Sequence, residues 1–265
     1  MKPQCDAVLL SGGIDSTYVL WKAVEAGARP HAFTVELRGC GVDLPYAMYT
    51  ARRFSVPLTI LSVGLDEALR AAEEVVAVLQ VFNPMEVVNC AVVYMAIKEA
   101  ASWGHRVVCT GDGGDELYLG YSFYLKYLDR LEEKRREVLS NWSFCSFAIG
   151  RSLGVAVEAP FTSPEAIQAA LAVPAHAALG KRPLREALIQ IAPEVAQREK
   201  TPLESGTCFN RLYTAMRKAA GDELTYLKQV YQRLGLSYIT SPDGCPRCGY
   251  AGFKKYCPMC GYYRE

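Results

Sequence analysis

Leu9-Leu10-Ser11-Gly12-Gly13-Ile14-Asp15-Ser16 decides the reading of this chain. The apolar run Ala7-Val8-Leu9-Leu10 leads into it, and a helical pattern, Thr17-Tyr18-Val19-Leu20-Trp21-Lys22-Ala23-Val24, leads out. Strand, glycine turn and helix in that order aim backbone N–H groups and a helix N-terminus at an anion. Gly12 and Gly13 allow the backbone to approach that anion closely. Ser11 and Ser16 add hydroxyl donors, and Asp15 can hold Mg²⁺ on the same phosphate. No lysine follows, so this is not the Gly-x-x-x-x-Gly-Lys-Ser/Thr loop of common NTPases. The competing reading is a Gly-Gly turn with an Asp/Ser helix cap. Its place directly after the first strand favours phosphate.

Outward from that turn, strands alternate with helices. Strands are expected over residues 6–10, 31–37, 58–62 and 106–110, and helices over 16–26, 44–54, 65–79 and 86–101. The strands are apolar throughout, which implies a parallel sheet covered on both faces. The expected class is therefore α/β, a doubly wound parallel sheet of about five strands, the fifth within residues 154–160. From about residue 121 the pattern turns helical. The mixed-charge stretch 125–139 reads as a solvated helix face. Ser241-Pro242-Asp243-Gly244 is the clearest boundary, dividing a domain over 1–240 from a small one over 241–265.

Composition narrows the classes. The 265 residues are 51% hydrophobic with a net charge of +1, enough for one large core and without a global electrostatic case for nucleic acid. No apolar run approaches the ~20 residues of a membrane helix. The first strand begins too early for a secretory leader, so a cytoplasmic protein is the expectation. Of ten cysteines, four form two C-x-x-C pairs. The other six, Cys5, Cys40, Cys90, Cys109, Cys145 and Cys208, are expected as buried free thiols. Disulfides would suit a hyperthermophile source.

Ligands of such folds sit at the carboxyl ends of strands. Thr110-Gly111-Asp112-Gly113-Gly114-Asp115-Glu116 follows the fourth strand, so it should face the crevice of the Ser11 turn. Carboxylates beside a triphosphate make sense as metal ligands or bases. Asp15 and Asp115 suit Mg²⁺, and Asp112 suits a general base if its pKa is raised. An acidic surface turn or a calcium loop is the alternative, though the spacing is not that of an EF-hand.

With both loops in view, the chain resembles the synthetase domain of asparagine synthetases and β-lactam synthetase. These belong to the PP-loop, or N-type, ATP pyrophosphatases, of adenine nucleotide α-hydrolase-like fold. Gly111-Asp112-Gly113-Gly114-Asp115-Glu116 with Gly120-Tyr121 matches their second loop, Ser-Gly-Glu-Gly-x-Asp-Glu-x-x-x-Gly-Tyr. Lys181-Arg182-Pro183-Leu184-Arg185-Glu186 resembles their Lys-x-x-Leu-Arg-Glu helix, and Arg198-Glu199-Lys200 their Arg-x-Lys segment. The resemblance spans about residues 6–215. It implies pyrophosphate on Ser11, Gly12, Gly13, Asp15 and Ser16, Mg²⁺ on Asp15 and Asp115, and adenosine near Leu10, Val35 and Gly111. Lys200 matches the lysine that stabilises charge on phosphorus, a role this resemblance alone assigns. The implied chemistry is ATP-dependent, AMP-forming ligation, in which a carboxylate or carbonyl is adenylated with release of PPi and then passed to ammonia or an amine.

The chain also departs from that pattern. Lys2 follows Met1, without the catalytic cysteine that opens the family's glutaminase domain, so ammonia is expected from solution or a separate glutaminase subunit, or another nucleophile is expected in its place. Asp112 replaces a Glu, which draws the carboxylate back by about 1.5 Å. Glu158 and Ser163 stand where the family has Arg and Asp, and residues 83–93 differ from its substrate segment. The expected partners are a small-molecule acid and an ammonia or amine donor, with a homodimer as a further expectation and no membrane.

Cys245-Pro246-Arg247-Cys248-Gly249 and Cys257-Pro258-Met259-Cys260-Gly261 are matching knuckles whose four thiolates suit a closed tetrahedral site. Zn²⁺ is the expected ion. Iron on rubredoxin-like knuckles fits equally by geometry. Lys254, Lys255, Tyr256, Tyr262, Tyr263 and Arg264 interleave charge with aromatic rings, which suits RNA stacking or packing of the ribbon on its parent domain. The alternative function is accordingly a tRNA-modifying PP-loop enzyme whose ribbon grips tRNA. A non-enzymatic nucleotide-binding scaffold is a third reading, against which Asp15, Asp115 and Lys200 stand.

Overall fold

The computed structural model describes residues 3–264. The strands are β1 (Ala7–Leu9), β2 (His31–Leu37), β3 (Leu58–Val63), β4 (Val107–Cys109) and β5 (Ala156–Glu158). They lie side by side in the order β3-β2-β1-β4-β5. The pairings of β1 with β2 and β4, and of β4 with β5, are parallel, with Val8 level with Ala32 on one side and Cys109 on the other. The order reverses at β1, so the crevice of this doubly wound sheet opens beside the Ser11 turn.

The helices over the first half are α1 (Ile14–Glu25), α2 (Leu44–Arg53), α3 (Leu65–Leu79) and α4 (Pro84–Ser102), followed by a single turn, α5 (Gly114–Leu117). Beyond residue 121 the chain is mainly helical. It contains α6 (Leu131–Ser140), α7 (Cys145–Ser152), α8 (Pro164–Leu171), α9 (Ala175–Ala178), α10 (Arg182–Leu188), α11 (Pro193–Gln197), α12 (Leu203–Gly206), α13 (Arg211–Ala220) and α14 (Glu223–Arg233). No single helix among the described residues is long and apolar enough to cross a membrane.

Two compact units are present. The first comprises Met1–Val35, Asp43–Leu61 and Ala96–Thr201. Its core joins Val8, Leu10, Val19 and Leu20 to Leu184, Leu188 and Val195, so α1 packs between the sheet and α10–α11. Burying a Leu or Val side chain contributes about 1.5–3 kcal/mol, and this core secures the helix whose first turn carries Asp15. α1 begins at Ile14, two residues before its expected start, because Gly13 is extended and serves as the N-cap. The expected helix over 125–139 is instead a 3₁₀ segment, Ser122–Tyr127, and α6.

The second unit comprises Glu36–Val42, Ser62–Met95 and Pro202–Glu265. Its centre is α3 packed with α13 and α14 through Val75, Val76, Leu212, Met216 and Leu227. Phe82 is fully buried, with ring centroids 5.3 Å from Tyr231 and 5.5 Å from Tyr238. The ribbon joins this body where the Phe82 N–H donates to Met259 C=O at 2.9 Å and Asn83 Nδ2 donates to the Tyr256 hydroxyl at 2.7 Å.

The expectation of free thiols outside the ribbon is corrected. Cys5 pairs with Cys109, and Cys40 pairs with Cys208. Cys90 and Cys145 are not free thiols either. The strand alternation of β1 and β4 brings Cys109 beside the segment that carries Cys5, a juxtaposition created by sheet pairing across 104 residues.

Candidate active site and metal centre

β1 and β4 are parallel neighbours, so the turns at 10–13 and 110–113 leave the same end of the sheet. They touch. A Cβ on Gly111 would stand 2.9 Å from Asp15 Cβ, and one on Gly114 would stand 2.3 Å from Asp15 Oδ1. Only glycine lets the second loop close over the first turn of α1. Gly12 carries φ +70°, and a Cβ there would lie 2.4 Å from the Ala47 nitrogen, so both conformation and space require glycine.

Within the first turn the hydroxyls are already oriented. Ser11 Oγ accepts the Gly13 N–H at 3.2 Å and lies 3.2 Å from Ser16 Oγ, which donates to Gly13 C=O at 3.2 Å. Leu10 and Val35 are buried on adjacent strands, joined where the Leu10 N–H meets Phe33 C=O at 2.8 Å. Gly111 lies at the far side of the Ser11 turn, against Asp15 and Ser16.

Asp15 and Asp115 converge on one cation, the Lys181 ammonium. Lys181 is hydrogen-bonded to Asp15 Oδ2 and lies 2.8 Å from Asp115 Oδ1, which also accepts from Lys200. Burial pushes the Asp15 carboxyl up, and Lys181 offsets this only in part. Burial acts on Asp115 in the same direction, but Lys181 and Lys200 together hold it below the ordinary aspartate value. Asp15 Oδ1 is buried with no hydrogen-bond partner among the described residues. An orphaned carboxylate oxygen, on a side chain that shares the Lys181 ammonium with a second carboxylate, has the hard-oxygen chemistry that Mg²⁺ takes, so these residues fit that ion.

Lys200 rides over the Tyr121 ring at 4.5 Å, and the Tyr121 hydroxyl donates to Glu116 at 2.6 Å. Its segment is pinned by two arginines. Arg198 donates to Gly12 C=O at 3.2 Å, pairs with Asp43 and stacks over Tyr46 at 4.1 Å. Arg185 donates to Ala196 C=O and Arg198 C=O, each at 2.8 Å.

Asp112 is turned toward α7. Its Oδ2 accepts from Ser146 Oγ at 2.5 Å and Thr110 Oγ1 at 2.8 Å. Burial pushes its pKa above the ordinary aspartate value despite both donors. Ser163 spends its hydroxyl as the N-cap of α8, accepting from Ala166 N–H at 3.3 Å. Glu158 accepts from the Gln4 N–H at 3.1 Å. Neither departure from the family pattern supplies a cation to that side of the crevice.

Every residue expected at the nucleotide is thus in this first unit, and Asp15, Asp115 and Lys200 share one ion network. Sequence reasoning missed Lys181, Arg198 and Ser146 as members of it. The signal for two of them was present, because Lys181 and Arg198 open the matched Lys-x-x-Leu-Arg-Glu and Arg-x-Lys stretches.

In the second unit the ribbon brings its four sulfurs within 4.8 Å of one another. Cys245 and Cys260 are 3.6 Å apart, as are Cys248 and Cys257. Sulfurs at 2.3 Å from a tetrahedral ion stand about 3.8 Å apart, so the set fits one metal ion. Burial pushes the Cys257 thiol up to about 11, so a metal must displace its proton.

A family model described as asparagine synthase matches residues 7–153. Among curated proteins, asparagine synthetase B of Escherichia coli K12, glutamine-hydrolyzing, is 23% identical over 240 residues, covering 80% of this chain and 43% of that protein. Asparagine synthetase 3 of Arabidopsis thaliana, also glutamine-hydrolyzing, is 24% identical over 182 residues, covering 63% and 31%. The chain therefore spans less than half the length of these relatives. Among solved structures, a predicted subunit of tRNA methyltransferase from Methanocaldococcus jannaschii gives a TM-score of 0.37 at 15% identity, covering 63% of this chain and 74% of that one. The U34-tRNA thiolase NcsA of Methanococcus maripaludis, with its 4Fe–4S cluster, gives 0.34 at 13% identity, covering 96% and 78%.

Proposed function

The chain belongs to the asparagine synthase family, and from that premise we propose an ATP-dependent, AMP-forming ligase that activates a carboxylate or carbonyl and passes it to ammonia or an amine. The observation that carries this reading is the convergence of Asp15, Asp115, Lys181 and Lys200 beside the Ser11–Ser16 turn. Backbone N–H groups of that turn and the start of α1 cradle the pyrophosphate half of ATP. Asp15 and Asp115 would hold Mg²⁺, which when bound neutralises phosphate charge. Lys200, half-exposed on its Tyr121 seat, reaches toward the phosphorus under attack and stabilises the charge that develops there.

An oxygen of the acceptor forms a bond to the α-phosphorus while the bond to the leaving PPi breaks. Nitrogen then attacks the activated carbon, AMP departs, and the amine proton is lost to a base. Asp112, buried and hydrogen-bonded through one oxygen, is the base we assign. In the second unit, Zn²⁺ on Cys245, Cys248, Cys257 and Cys260 would fix the ribbon, whose Tyr256 is already engaged with Asn83. A small-molecule acid is the acceptor class this reading favours.

ATP–PPi exchange with a panel of organic acids tests the proposal. Acid-dependent exchange is the expected result, and failure of the protein to bind Mg²⁺·ATP overturns it. RNA that co-purifies and is required for exchange would transfer the acceptor to tRNA.

A further inference from the structure

Lys181 is placed by the fold with unusual insistence. Its backbone is left-handed, at φ +62°, a conformation that costs a non-glycine residue about 1 kcal/mol or more. Its N–H bonds Tyr118 C=O at 2.9 Å, and Gly180 N–H bonds Leu119 C=O at 3.0 Å, so the start of α10 is stitched to the second loop. The stem crosses Gly120, where a Cβ would lie 2.2 Å from Lys181 Cε and 2.1 Å from Asp115 Oδ1. The side chain is 8% exposed, and its ammonium bridges Asp15 and Asp115. Lys200, in contrast, meets only Asp115 of that pair and is 36% exposed.

We propose that Lys181 is a gate on the divalent-cation site. Its ammonium lies between the two carboxylates that would hold the ion, so a free cation must displace it against like charge. With Lys200 alongside, the two aspartates are already neutralised, and a divalent ion entering alone leaves positive charge in excess. A triphosphate reverses that balance, because its oxygens give the Lys181 ammonium another partner while the ion takes the carboxylates. The ion and the nucleotide therefore enter together. Lys181 is here a positioning residue, and the inference rests on the nucleotide site proposed above.

Mn²⁺ titration followed by EPR tests it on the full chain with the ribbon loaded with zinc, since hard Mn²⁺ does not compete well for thiolates. Wild type should bind Mn²⁺ weakly alone and tightly with α,β-methylene ATP. Lys181→Met should bind Mn²⁺ alone about tenfold or more tighter than wild type. Asp15→Asn placed in the Lys181→Met background should abolish that gain. Lys200→Met leaves the bridging ammonium in place and should gain far less than Lys181→Met. A folded Lys181→Met protein with unimproved Mn²⁺ affinity overturns the gate, as does a Lys200→Met protein that gains as much. If wild type binds Mn²⁺ neither alone nor with the ATP analogue, the nucleotide-site reading itself fails. Should Lys181→Met not fold, wild type alone decides. The gate requires that Mn²⁺ raise the melting temperature only when the ATP analogue is present, and an equal rise without it overturns the proposal.

Discussion

The Lys181 ammonium lies 2.8 Å from Asp115 Oδ1, an oxygen that it shares with Lys200. Two lysines from separate segments thus meet one carboxylate of the second loop, and their removal is unequal because Lys181 is buried and also holds Asp15, whereas Lys200 is more exposed. Lys181 sustains the folded arrangement of the loops, whereas Lys200 is poised at its mouth.

Lys200→Met should therefore leave the fold and ATP affinity nearly unchanged and slow adenylation. Loss of one charge-stabilising group of this kind costs about 100-fold or more in kcat. Pre-steady-state PPi release measured beside equilibrium nucleotide binding separates the two effects. A large loss of affinity with unchanged kcat would remove Lys200 from the transition state.

Gly12→Ala should both destabilise and disable the protein. The substitution puts a side chain at φ +70° and within 2.4 Å of the Ala47 nitrogen. Overpacking of this kind costs about 1–3 kcal/mol, and the residue's C=O would no longer meet Arg198 as it does now at 3.2 Å. Urea unfolding and ATP binding both read the outcome. A variant with wild-type values in both assays would contradict the tight packing of that turn.

Asp112 gives a pH signature. Burial raises its pKa above the ordinary aspartate value of 3.8, so the native state keeps a proton that the unfolded chain has lost. Stability from this group is complete below pH 3.8 and falls as pH rises through the raised native value. Asp112→Asn should accordingly be more stable than wild type at neutral pH and show a flatter urea midpoint against pH. Under the proposed role it should also lose the acid limb of the rate profile together with most activity.

Reduction should weaken the protein markedly. The Cys5–Cys109 and Cys40–Cys208 bonds span 104 and 168 residues, and long loops of this order gain about 2–5 kcal/mol from a disulfide. Cys5→Ser and Cys40→Ser should each lower the melting temperature in non-reducing buffer. Their melting temperatures should approach that of wild type in the presence of a reductant.

The ribbon should release one metal ion per chain to a chelator. Because the Cys257 thiol lies at about 11, metal affinity should fall as pH falls, with proton uptake on release. Cys257→Ser should lose the ion and the near-UV signal of Tyr256, which Asn83 holds against the ribbon. Isothermal titration in two buffers of different ionisation heat counts the protons.

Local order along the chain was legible. The Ser11 turn, the expected strands and α3 depend on runs and periods a few residues long, and α3 has the bounds that its periodicity implied. The four cysteines of the ribbon were equally readable, because a two-residue spacing by itself brings two sulfurs together. Ser163 was harder. It stands where the family has Asp, and only the fold shows its hydroxyl accepting from Ala166 N–H as the cap of α8.

By itself, then, the sequence determined a parallel α/β sheet with a glycine-rich first turn, an acidic second loop and a ribbon of four clustered cysteines. The tertiary structure alone decided that Lys181 sits between Asp15 and Asp115, that Asp112 leans on Ser146, and that Cys5 and Cys40 are oxidised. These partners lie between 34 and 168 residues apart. Periodicity speaks only to neighbours within a turn or a pleat. Which distant side chains meet is set by strand order and by the packing of α10 on α1, where the burial of Leu184 and Leu188 carries Lys181 to the carboxylates.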